Sequence, residues 1–490
     1  MALAPTVAPS RVSLSPAARH GRYRSQWNFL AISFNFSRAE KTLIVVFLLT
    51  LPFIQPRVRD DGIGYYAFAR SLLIDHNLQF RGDWKDPRGM PTLIERDNRG
   101  RPAAFRSSTS TGHMPNFYPV GPAMLWSPFL VLTHGAVLAA RRMGSSVAAD
   151  GFSRPYLVAM ALSTALYGFL GLWLSFQLAR DYFEESWSLA ATLGIWFASS
   201  LPVYIYVDPS WSHAHSVFSV SLFLWYWHRT REQRTLPQWI TLGLIAGLML
   251  DVYFANSVFL VVPLLESLPA YRRVFTAEAH PAGPVMIVLF RHLAFCFAVV
   301  AAFAPTMIVR QIIFGHPLAV GAYANSPWNW THPALWGVLG ASQHGLLLST
   351  PILIPAIVGI FWLPRRVPVM GWALVIAASA FYLLIAVYPW WDGIESFGNR
   401  FFVSLTPIFI SGLAAAFSEF ARRWRDPQGA TRRVAAVLAL LILWNLGLVF
   451  QWGTGLMPSV GPVYWSEVLY NQFRVVPGEV LRALHSRFIG

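Results

Sequence analysis

Long apolar runs recur from near the N-terminus to near the C-terminus, and this feature limits the fold more than any other. Runs of spanning or near-spanning length are centred on residues 42–56, 155–179, 188–206, 214–228, 285–313, 346–363, 370–388, 401–418 and 434–451. Inside a bilayer, backbone polar groups must be satisfied within the segment, so such runs form helices. With 55% hydrophobic and 12% charged residues, the chain is predicted to be an all-α polytopic membrane protein, and a soluble fold is excluded.

The positive charge lies mostly in short arginine clusters between the apolar runs. The formal net charge is +15, which would suggest nucleic acid in a soluble protein, but arginines between spans act as topology signals. Nucleic acid is therefore not expected as a partner. Lysine occurs only as Lys41 and Lys85, so a phosphate site in a later span must use arginine, histidine or backbone donors. The single cysteine, Cys296, cannot form a disulfide within the chain.

Two apolar stretches are ambiguous, and the positive-inside rule decides both. Residues 118–140 contain three prolines, and 239–266 is interrupted by Asp251 and Asn256. The short arginine-containing connections, which should face the cytoplasm, are 228–234, 271–273, 364–366 and 422–433. With a cytoplasmic N-terminus, they do so only if 118–140 is an interfacial or re-entrant helix and 239–266 crosses twice, broken around Asp251. The expected total is about eleven crossings.

This layout divides the chain into three parts. Residues 1–41 are expected to form a basic cytoplasmic tail, 42–452 a transmembrane domain that begins with a retained signal anchor, and 453–490 an extracytoplasmic tail. The first extracytoplasmic loop is 57–154 and is expected to carry surface helices. The polar segments then share the extracytoplasmic side: Asp60 and Asp61, 208–216, Asp251, 314–345 and 391–400.

Two adjacent carboxylates, Asp60 and Asp61, directly follow the first span. The sequence "GYYAFARSLL" behind them has the apolar spacing of an amphipathic helix at the membrane surface. One interpretation is that the acids cap this helix or pair with Arg57 and Arg59. The other is that a carboxylate held at the interface deprotonates an acceptor hydroxyl beside a lipid-linked donor.

The segment "D-G-I-G-Y" at 61–65 resembles the D-E-x-x-Y signature of GT-C glycosyltransferases, in particular the protein O-mannosyltransferase and lipid A aminoarabinose transferase group, family 39-like. Asp61 matches the leading Asp of that signature and Tyr65 its Tyr, whereas Gly62 replaces the Glu. Asp60 offers a second acid. The segment "YPVGPAMLWSPFLV" resembles the proline-rich stretch after the first loop of this group, Asp208 resembles its acid at the outer end of the third span, and "SFGNR" (396–400) is similar to a motif of bacterial relatives.

The resemblance implies a GT-C bundle in a bacterial inner membrane, with the active site on the extracytoplasmic face. It implies an inverting transfer of a hexosyl or pentosyl group from a polyprenyl-phosphate donor to a hydroxyl of an unknown glycan, protein or lipid acceptor of the cell envelope. Asp61 would be the base, with Asp60 as the second acid. Membrane lipid and the lipid-linked donor are then the expected partners.

The phosphate-binding residue is the point at which this chain departs from the group. Where many relatives carry Lys or Arg in the broken fifth and sixth spans, this chain reads "GLMLDVYF". The candidates for binding the donor phosphate are then Arg400, Arg310 and His213, each of which can donate charge-assisted hydrogen bonds. Arg400 is the first choice because it opens a span behind a Gly-containing turn. The alternative is a topology or snorkelling arginine.

Other residues are candidates for acceptor or sugar binding: Tyr65, Asp208, His215, His344, Trp328, Trp330, Glu395 and Asn399. The spacing of His213 and His215 puts them on different sides of a helix, which argues against joint metal ligation. A divalent metal held by Asp208 and His213 stays open as an alternative, and no other cofactor is expected. Trp328 and Trp330 could stack on a sugar ring.

Two other functions account for part of the pattern. A polymerase or ligase of lipid-linked glycans would use Arg and His of the loop 314–345 and would not need the acids after the first span. A transporter or lipid flippase would show helix-breaking positions in matching places of two halves, and this sequence shows no such halving.

Overall fold

The computed structural model describes residues 36–80, 95–96, 102–103, 108–276, 282–320 and 327–488. The N-terminal tail, apart from its last residues, and 321–326 of the loop 314–345 therefore lie outside the described residues. In the first half of the chain the helices are α1 (Arg38–Thr50), α2 (Asp61–Arg70), α3 (Gly121–Arg142), α4 (Arg154–Arg180), α5 (Glu185–Phe197), α6 (His213–Thr230) and α7 (Leu236–Val252). The strands Glu95–Arg96 and Pro102–Ala103 form a short antiparallel pair in which Glu95 lies opposite Ala103.

The second half is also helical. Its helices are α8 (Val261–Thr276), α9 (Ala282–Phe314), α10 (Leu335–Gly340), α11 (Leu346–Ser349), α12 (Leu353–Ile360), α13 (Leu363–Arg366), α14 (Pro368–Val387), α15 (Thr406–Arg423), α16 (Pro427–Thr454), α17 (Trp465–Tyr470) and α18 (Val476–Phe488). Segments of 3₁₀-helix are Leu51–Phe53, Phe254–Leu260 and Arg400–Leu405, and segments of π-helix are Ser71–Asp75, Val203–Val207 and Asn471–Val475.

Most of the apolar runs become single helices, which confirms the all-α membrane architecture. The run 346–363, expected to be one span, is instead divided into the short helices α11, α12 and α13. Within the described part of the chain, seven helical segments are long and apolar enough to cross a membrane: 121–142, 154–180, 254–272, 285–314, 368–387, 400–423 and 427–454. The expected break in 239–266 is confirmed, because α7 ends at Val252 and a 3₁₀ segment precedes α8. The total number of crossings stays a prediction.

The segment expected to be interfacial or re-entrant forms α3, one continuous helix with the length and composition of a span. Its prolines do not break it. Pro119 precedes the helix and Pro122 lies in the first turn, where an N–H has no helical acceptor in any case. Pro128 lies inside the helix and removes a single donor. Thus proline content alone gives no reason to exclude a crossing here, and the interfacial placement is not supported by the helix itself.

Helix α2 is present where predicted, but protein surrounds it, which differs from the expected surface helix. Residues 62–70 are all buried. Two glycines allow this close packing: a Cβ on Gly62 would lie 1.9 Å from Ser210 Oγ, and one on Gly64 would lie 1.9 Å from Tyr118 Cδ2. The Tyr66 hydroxyl donates to the Gly151 carbonyl over 2.6 Å and joins the helix to the end of the first loop. Asp61, the first residue of α2, is thereby held against the protein interior.

Small residues also bring neighbouring helices of the bundle close together. A Cβ on Gly359 of α12 would lie 1.8 Å from the Gly412 carbonyl oxygen of α15, and one on Gly171 of α4 would lie 2.8 Å from Phe218 N of α6. Such backbone approach is typical of helix pairs in membranes, where van der Waals packing replaces the hydrophobic effect. These contacts hold α6 and α15 in place, and the N-terminal ends of both helices lie beside the candidate site.

Candidate functional site

Asp61 and Arg400 meet in the structure although they are far apart in sequence. Asp61 is the first residue of α2, and Arg400 is the first residue of the 3₁₀ segment that leads into α15. Arg400 Nη1 lies 2.7 Å from Asp61 Oδ2, and the two side chains are 12% and 27% exposed, respectively. The layout placed both residues on the extracytoplasmic side, and the structure shows that they form one ion pair.

Arg400 keeps donors available although it is charged and largely buried. Its guanidinium lies over the ring of Trp211, 4.4 Å from the centroid, in a cation–π contact. Its Nε is buried and has no hydrogen-bond partner among the described residues, and Nη1 meets Asp61 outside hydrogen-bond geometry. A planar guanidinium with unused N–H groups is suited to a phosphate or carboxylate that can accept them.

Asp61 has a second contact that sequence reasoning missed. The hydroxyl of Tyr118 donates to Asp61 Oδ1 over 2.9 Å, so each carboxylate oxygen has one neighbour. Tyr118 opens the segment "YPVGP" that precedes α3. The ring of Tyr65, one turn along α2 from Asp61, packs edge-on against the ring of Tyr118 at 4.9 Å, and Ser212 donates to the Tyr65 hydroxyl over 3.1 Å.

Asp208 forms a separate ion cluster. Its carboxylate is fully buried and accepts two hydrogen bonds from Arg59, over 2.5 Å to Nε and 2.7 Å to Nη2. Arg57 Nη2 lies 3.4 Å from the same carboxylate, and Arg57 Nε donates to the Val207 carbonyl. These contacts tie the first loop to the turn before α6. Asp208 is therefore paired with arginines, and its role in acceptor or sugar binding stays a prediction.

Asp60 faces a different environment from Asp61. It adopts a positive φ of 51° just before α2, and its side chain lies 3.4 Å from Arg59 Nε. Burial raises the pKa of Asp60 to about 6, the neighbouring Glu395 carboxylate acts in the same direction, and the Arg59 guanidinium opposes both. The two adjacent acids therefore differ: Asp61 is paired with Arg400, whereas Asp60 is an acid that protonates near neutral pH beside a second carboxylate.

The loop 391–400 is held in one conformation that presents Arg400. The Phe397 N–H donates to the Tyr204 hydroxyl over 3.1 Å, and that hydroxyl lies 3.3 Å from the Phe397 carbonyl. Gly398 has a φ of 58°, a conformation that side chains rarely adopt. Asn399 donates to the Trp391 carbonyl over 2.9 Å, so its amide braces the loop. Glu395 accepts a hydrogen bond of 3.5 Å from Ser459 at the rim of the site.

The two histidines of "WSHAH" lie in different surroundings. The ring of His213 packs edge-on against Tyr204 at 4.6 Å, on the side of the bundle where Arg400 lies. The ring of His215 packs against Trp126 at 5.1 Å and Tyr167 at 5.6 Å, between α3 and α4. His213 therefore remains a candidate neighbour of the donor phosphate, and His215 is a buried packing residue in this structure.

Arg310 belongs to another charged group, inside the bundle. Arg310 lies on α9, one turn beyond Thr306. The Thr306 hydroxyl donates to Asp251 Oδ1 over 2.5 Å. The charge of the Asp251 carboxylate also interacts with the Arg310 guanidinium. Asp251 is fully buried, and its Oδ2 has no hydrogen-bond partner among the described residues. The structure gives no contact between Arg310 and the pair of Asp61 and Arg400.

The remaining candidates lie around the rim. The rings of Trp328 and Trp330 stack in parallel at 5.9 Å, and Trp330 is 71% exposed. The Nδ1 atom of His344 lies 2.8 Å from the Asp392 carbonyl oxygen, and burial lowers the pKa of His344. Their roles in acceptor or sugar binding stay predictions.

The residues offered for a divalent metal do not fit one. The Asp208 carboxylate already binds Arg59 and contacts Arg57, and two guanidinium groups beside it oppose a further cation. His213 packs on aromatic rings. In the part of the chain that the structure describes, no group of three or more His, Cys, Asp or Glu side chains has the geometry of a metal site.

Known structures share this architecture. The apo form of an oligosaccharyltransferase from Archaeoglobus fulgidus matches with a TM-score of 0.50 at 13% sequence identity, covering 92% of this chain and 60% of that one. ArnT from Cupriavidus metallidurans bound to undecaprenyl phosphate matches with a TM-score of 0.42 at 13% identity, covering 92% of this chain and 77% of that one. No protein-family profile and no curated protein sequence matches the chain.

The likeness to the oligosaccharyltransferase shows the fold: the chain is an all-α polytopic membrane protein with a GT-C-type bundle. The chain spans less than two thirds of that enzyme. The fold that the resemblance of "D-G-I-G-Y" implies is thereby confirmed.

Proposed function

We propose that the protein is an inverting glycosyltransferase that moves a sugar from a polyprenyl-phosphate donor to a hydroxyl acceptor at the extracytoplasmic face of a bacterial inner membrane. The observation that carries the proposal is the contact of 2.7 Å between Asp61 and Arg400. A base for the acceptor and a cation for the donor phosphate must lie side by side in such a reaction, and these two groups do. The GT-C fold supports the same class of reaction.

The donor end of the site rests on Arg400. Its buried Nε and its Nη1 atom can donate to a phosphate, and the Trp211 ring holds the guanidinium plane in place. His213 lies near Arg400, and its buried Nδ1 has no hydrogen-bond partner among the described residues, so its ring can offer a further hydrogen bond to the phosphate. The lipid tail would run between the spans and leave the phosphate at the outer surface, where the 3₁₀ segment of Arg400 begins.

The acceptor end rests on Asp61. The Asp61 carboxylate takes the proton of the acceptor hydroxyl while that oxygen attacks the anomeric carbon of the sugar. The bond from the anomeric carbon to the phosphate oxygen breaks, and its electron pair leaves with polyprenyl phosphate. Attack from the side opposite the leaving group inverts the anomeric centre. The leaving phosphate is stable as an anion beside Arg400, so no general acid is needed.

The ion pair orders these events. Arg400 contacts Asp61 Oδ2 in the structure, so this oxygen is not open to an acceptor hydroxyl. A donor phosphate carries the charge that Arg400 requires and can replace Asp61 there. Asp61 then becomes available to the acceptor only in the presence of the donor.

The test is to substitute Asp61 and follow release of polyprenyl phosphate. Purified protein is assayed against a panel of polyprenyl-phosphate sugars with glycan, protein and lipid acceptors. We expect Asp61→Asn to lower kcat by about 10²–10⁴-fold, the usual contribution of a positioned base. The matched control is Asp75→Asn in the same loop, since Asp75 also pairs with an arginine, Arg70, but lies at the far end of α2.

Three results would contradict the proposal. Near-normal activity of Asp61→Asn would favour a polymerase or ligase of lipid-linked glycans. Transport of a solute or lipid across vesicles without release of polyprenyl phosphate would favour a transporter or flippase. Equal losses in Asp61→Asn and Asp75→Asn would show that the first loop tolerates no change of charge, and Asp61 would have no special role.

A further inference from the structure

Asp61 is held from two sides by residues of different loops. Arg400 contacts Oδ2, and the Tyr118 hydroxyl donates to Oδ1 over 2.9 Å. A carboxylate can exchange its two oxygens by rotating about its last bond, which is a soft torsion. A hydroxyl that binds one oxygen stops this exchange. The two contacts therefore give the two oxygens of Asp61 different surroundings.

Tyr118 is built onto the same helix that carries Asp61. Asn116 accepts a hydrogen bond from the Tyr118 backbone N–H over 3.2 Å and donates to the Gly64 carbonyl of α2 over 2.9 Å. The absence of a Cβ on Gly64 makes room for the Tyr118 ring, because a Cβ there would lie 1.9 Å from Tyr118 Cδ2. Asn116 is 3% exposed, so these hydrogen bonds are sheltered from water.

We infer that Tyr118 is a positioning residue that holds Asp61 Oδ1 so that Oδ2 is the oxygen that receives the acceptor proton. This inference rests on the proposed function. When a donor phosphate replaces Asp61 on Arg400, Oδ2 loses its partner, whereas Tyr118 stays attached to α2 through Asn116 and Gly64. Oδ2 is then left facing the position of the phosphate, next to the carbon that the acceptor must reach. Tyr118 touches neither substrate in this arrangement and acts through Asp61.

The test is Tyr118→Phe, which removes the hydroxyl and keeps the ring against Tyr65 and Gly64. A hydrogen bond to a charged group is lost, so we expect kcat to fall by about tenfold or more. The KM for the donor is expected to stay within about twofold, because Arg400 still binds the phosphate. The matched control is Tyr66→Phe. It removes a tyrosine hydroxyl from α2, the helix that carries Asp61, and that hydroxyl donates to the Gly151 carbonyl over 2.6 Å. It is expected to keep kcat.

A double-mutant cycle decides whether Tyr118 acts through Asp61. In an Asp61→Glu background the carboxylate is displaced by one methylene, so Tyr118→Phe is expected to cost less than about twofold. The same loss in both backgrounds would overturn the inference, and so would an unchanged kcat in Tyr118→Phe alone. A rise in donor KM with a lower melting temperature and a proportionate loss in Tyr66→Phe would show a structural role only.

Failure here is distinguishable from failure of the proposed function. If Asp61→Asn abolishes turnover and Tyr118→Phe does not slow it, Asp61 is the base and Tyr118 is not its positioning residue. If Asp61→Asn is active, the proposed function itself is wrong, whatever the result with Tyr118.

Discussion

The packing of Gly62 against Ser210 leads to a prediction that needs no substrate. In the related signature a glutamate occupies this position, and here a Cβ on Gly62 would lie 1.9 Å from Ser210 Oγ and 2.5 Å from Ser210 Cβ. Ordinary contacts begin at 3.4 Å, so the turn before α6 would have to move by more than about 1 Å. That turn also carries Asp208, whose two hydrogen bonds to Arg59 resist the movement.

We expect Gly62→Ala to destabilise the protein by about 2 kcal/mol. Overpacking of a well-filled site costs about 1–3 kcal/mol, and the backbone-linked Ser210 Cβ places this site at the upper end. The better helix propensity of alanine returns up to about 1 kcal/mol. In a Ser210→Gly background the nearest remaining atom is the Ser210 carbonyl oxygen at 3.1 Å. There the same change is expected to cost less than about 1 kcal/mol, because this oxygen lies only about 0.3 Å inside the ordinary contact distance.

The assay is the unfolding temperature of purified protein in detergent for the parent, the two single variants and the double variant. A matched control is Gly135→Ala in α3, because nothing lies within 4 Å of a Cβ at that position. Destabilisation by Gly62→Ala of equal size in both backgrounds would refute the reasoning, because it would show that Ser210 is not what excludes a side chain from position 62.

Two further predictions concern the charges beside α2. Asp60→Asn is expected to raise the melting temperature at pH 7, because the raised pKa of Asp60 means that its contribution to stability is present below about pH 4 and is lost as the pH rises through about 6. The gain should vanish at pH 4, and a gain of the same size at both pH values would contradict the assignment of burial and Glu395 as its causes. Arg59→Ala is expected to cost about 3 kcal/mol, because it leaves the fully buried Asp208 carboxylate without its two short hydrogen bonds. Arg57→Ala should cost less than about 1 kcal/mol in the same unfolding assay, because Arg57 Nη2 lies 3.4 Å from the carboxylate whereas Arg59 donates over 2.5 and 2.7 Å. Equal losses would show that the two arginines share Asp208 evenly.

Hydropathy and charge predicted most of the fold because each span is a local feature. The apolar runs, the arginine turns and the break after Asp251 can be read from a window of about twenty residues. The burial of α2 could not be read in this way. Its apolar spacing fits a surface helix, and only the glycines at 62 and 64 signal that other chain segments approach closely. Two glycines spaced i, i+2 in a short helix were the sequence feature that indicated this close packing.

The candidate site was predicted in part for a similar reason. Topology placed Asp61 and Arg400 on one side of the membrane, which left their partners undefined. Tyr118 and Trp211 were missed because nothing in their local sequence distinguishes them from the many aromatic residues near span ends. The pairing of Asp208 with Arg59 could not be predicted either, because the sequence does not show whether a given carboxylate forms an ion pair.

Asp61 and Arg400 pair with each other because an unpaired charge at the membrane is costly. Arg400 is 12% exposed, and a buried cation without a counterion is costly by several kcal/mol. The substrate-free protein therefore needs an acid beside Arg400, and the proposed base is the group that serves. On the proposed function, a donor phosphate would replace the Asp61 carboxylate as the anion beside Arg400. Stability without the donor and activity with it thus depend on the same contact, so substitution of Asp61 by the neutral isostere Asn should lower the melting temperature of the free protein and leave that of the donor-bound protein nearer to the parent.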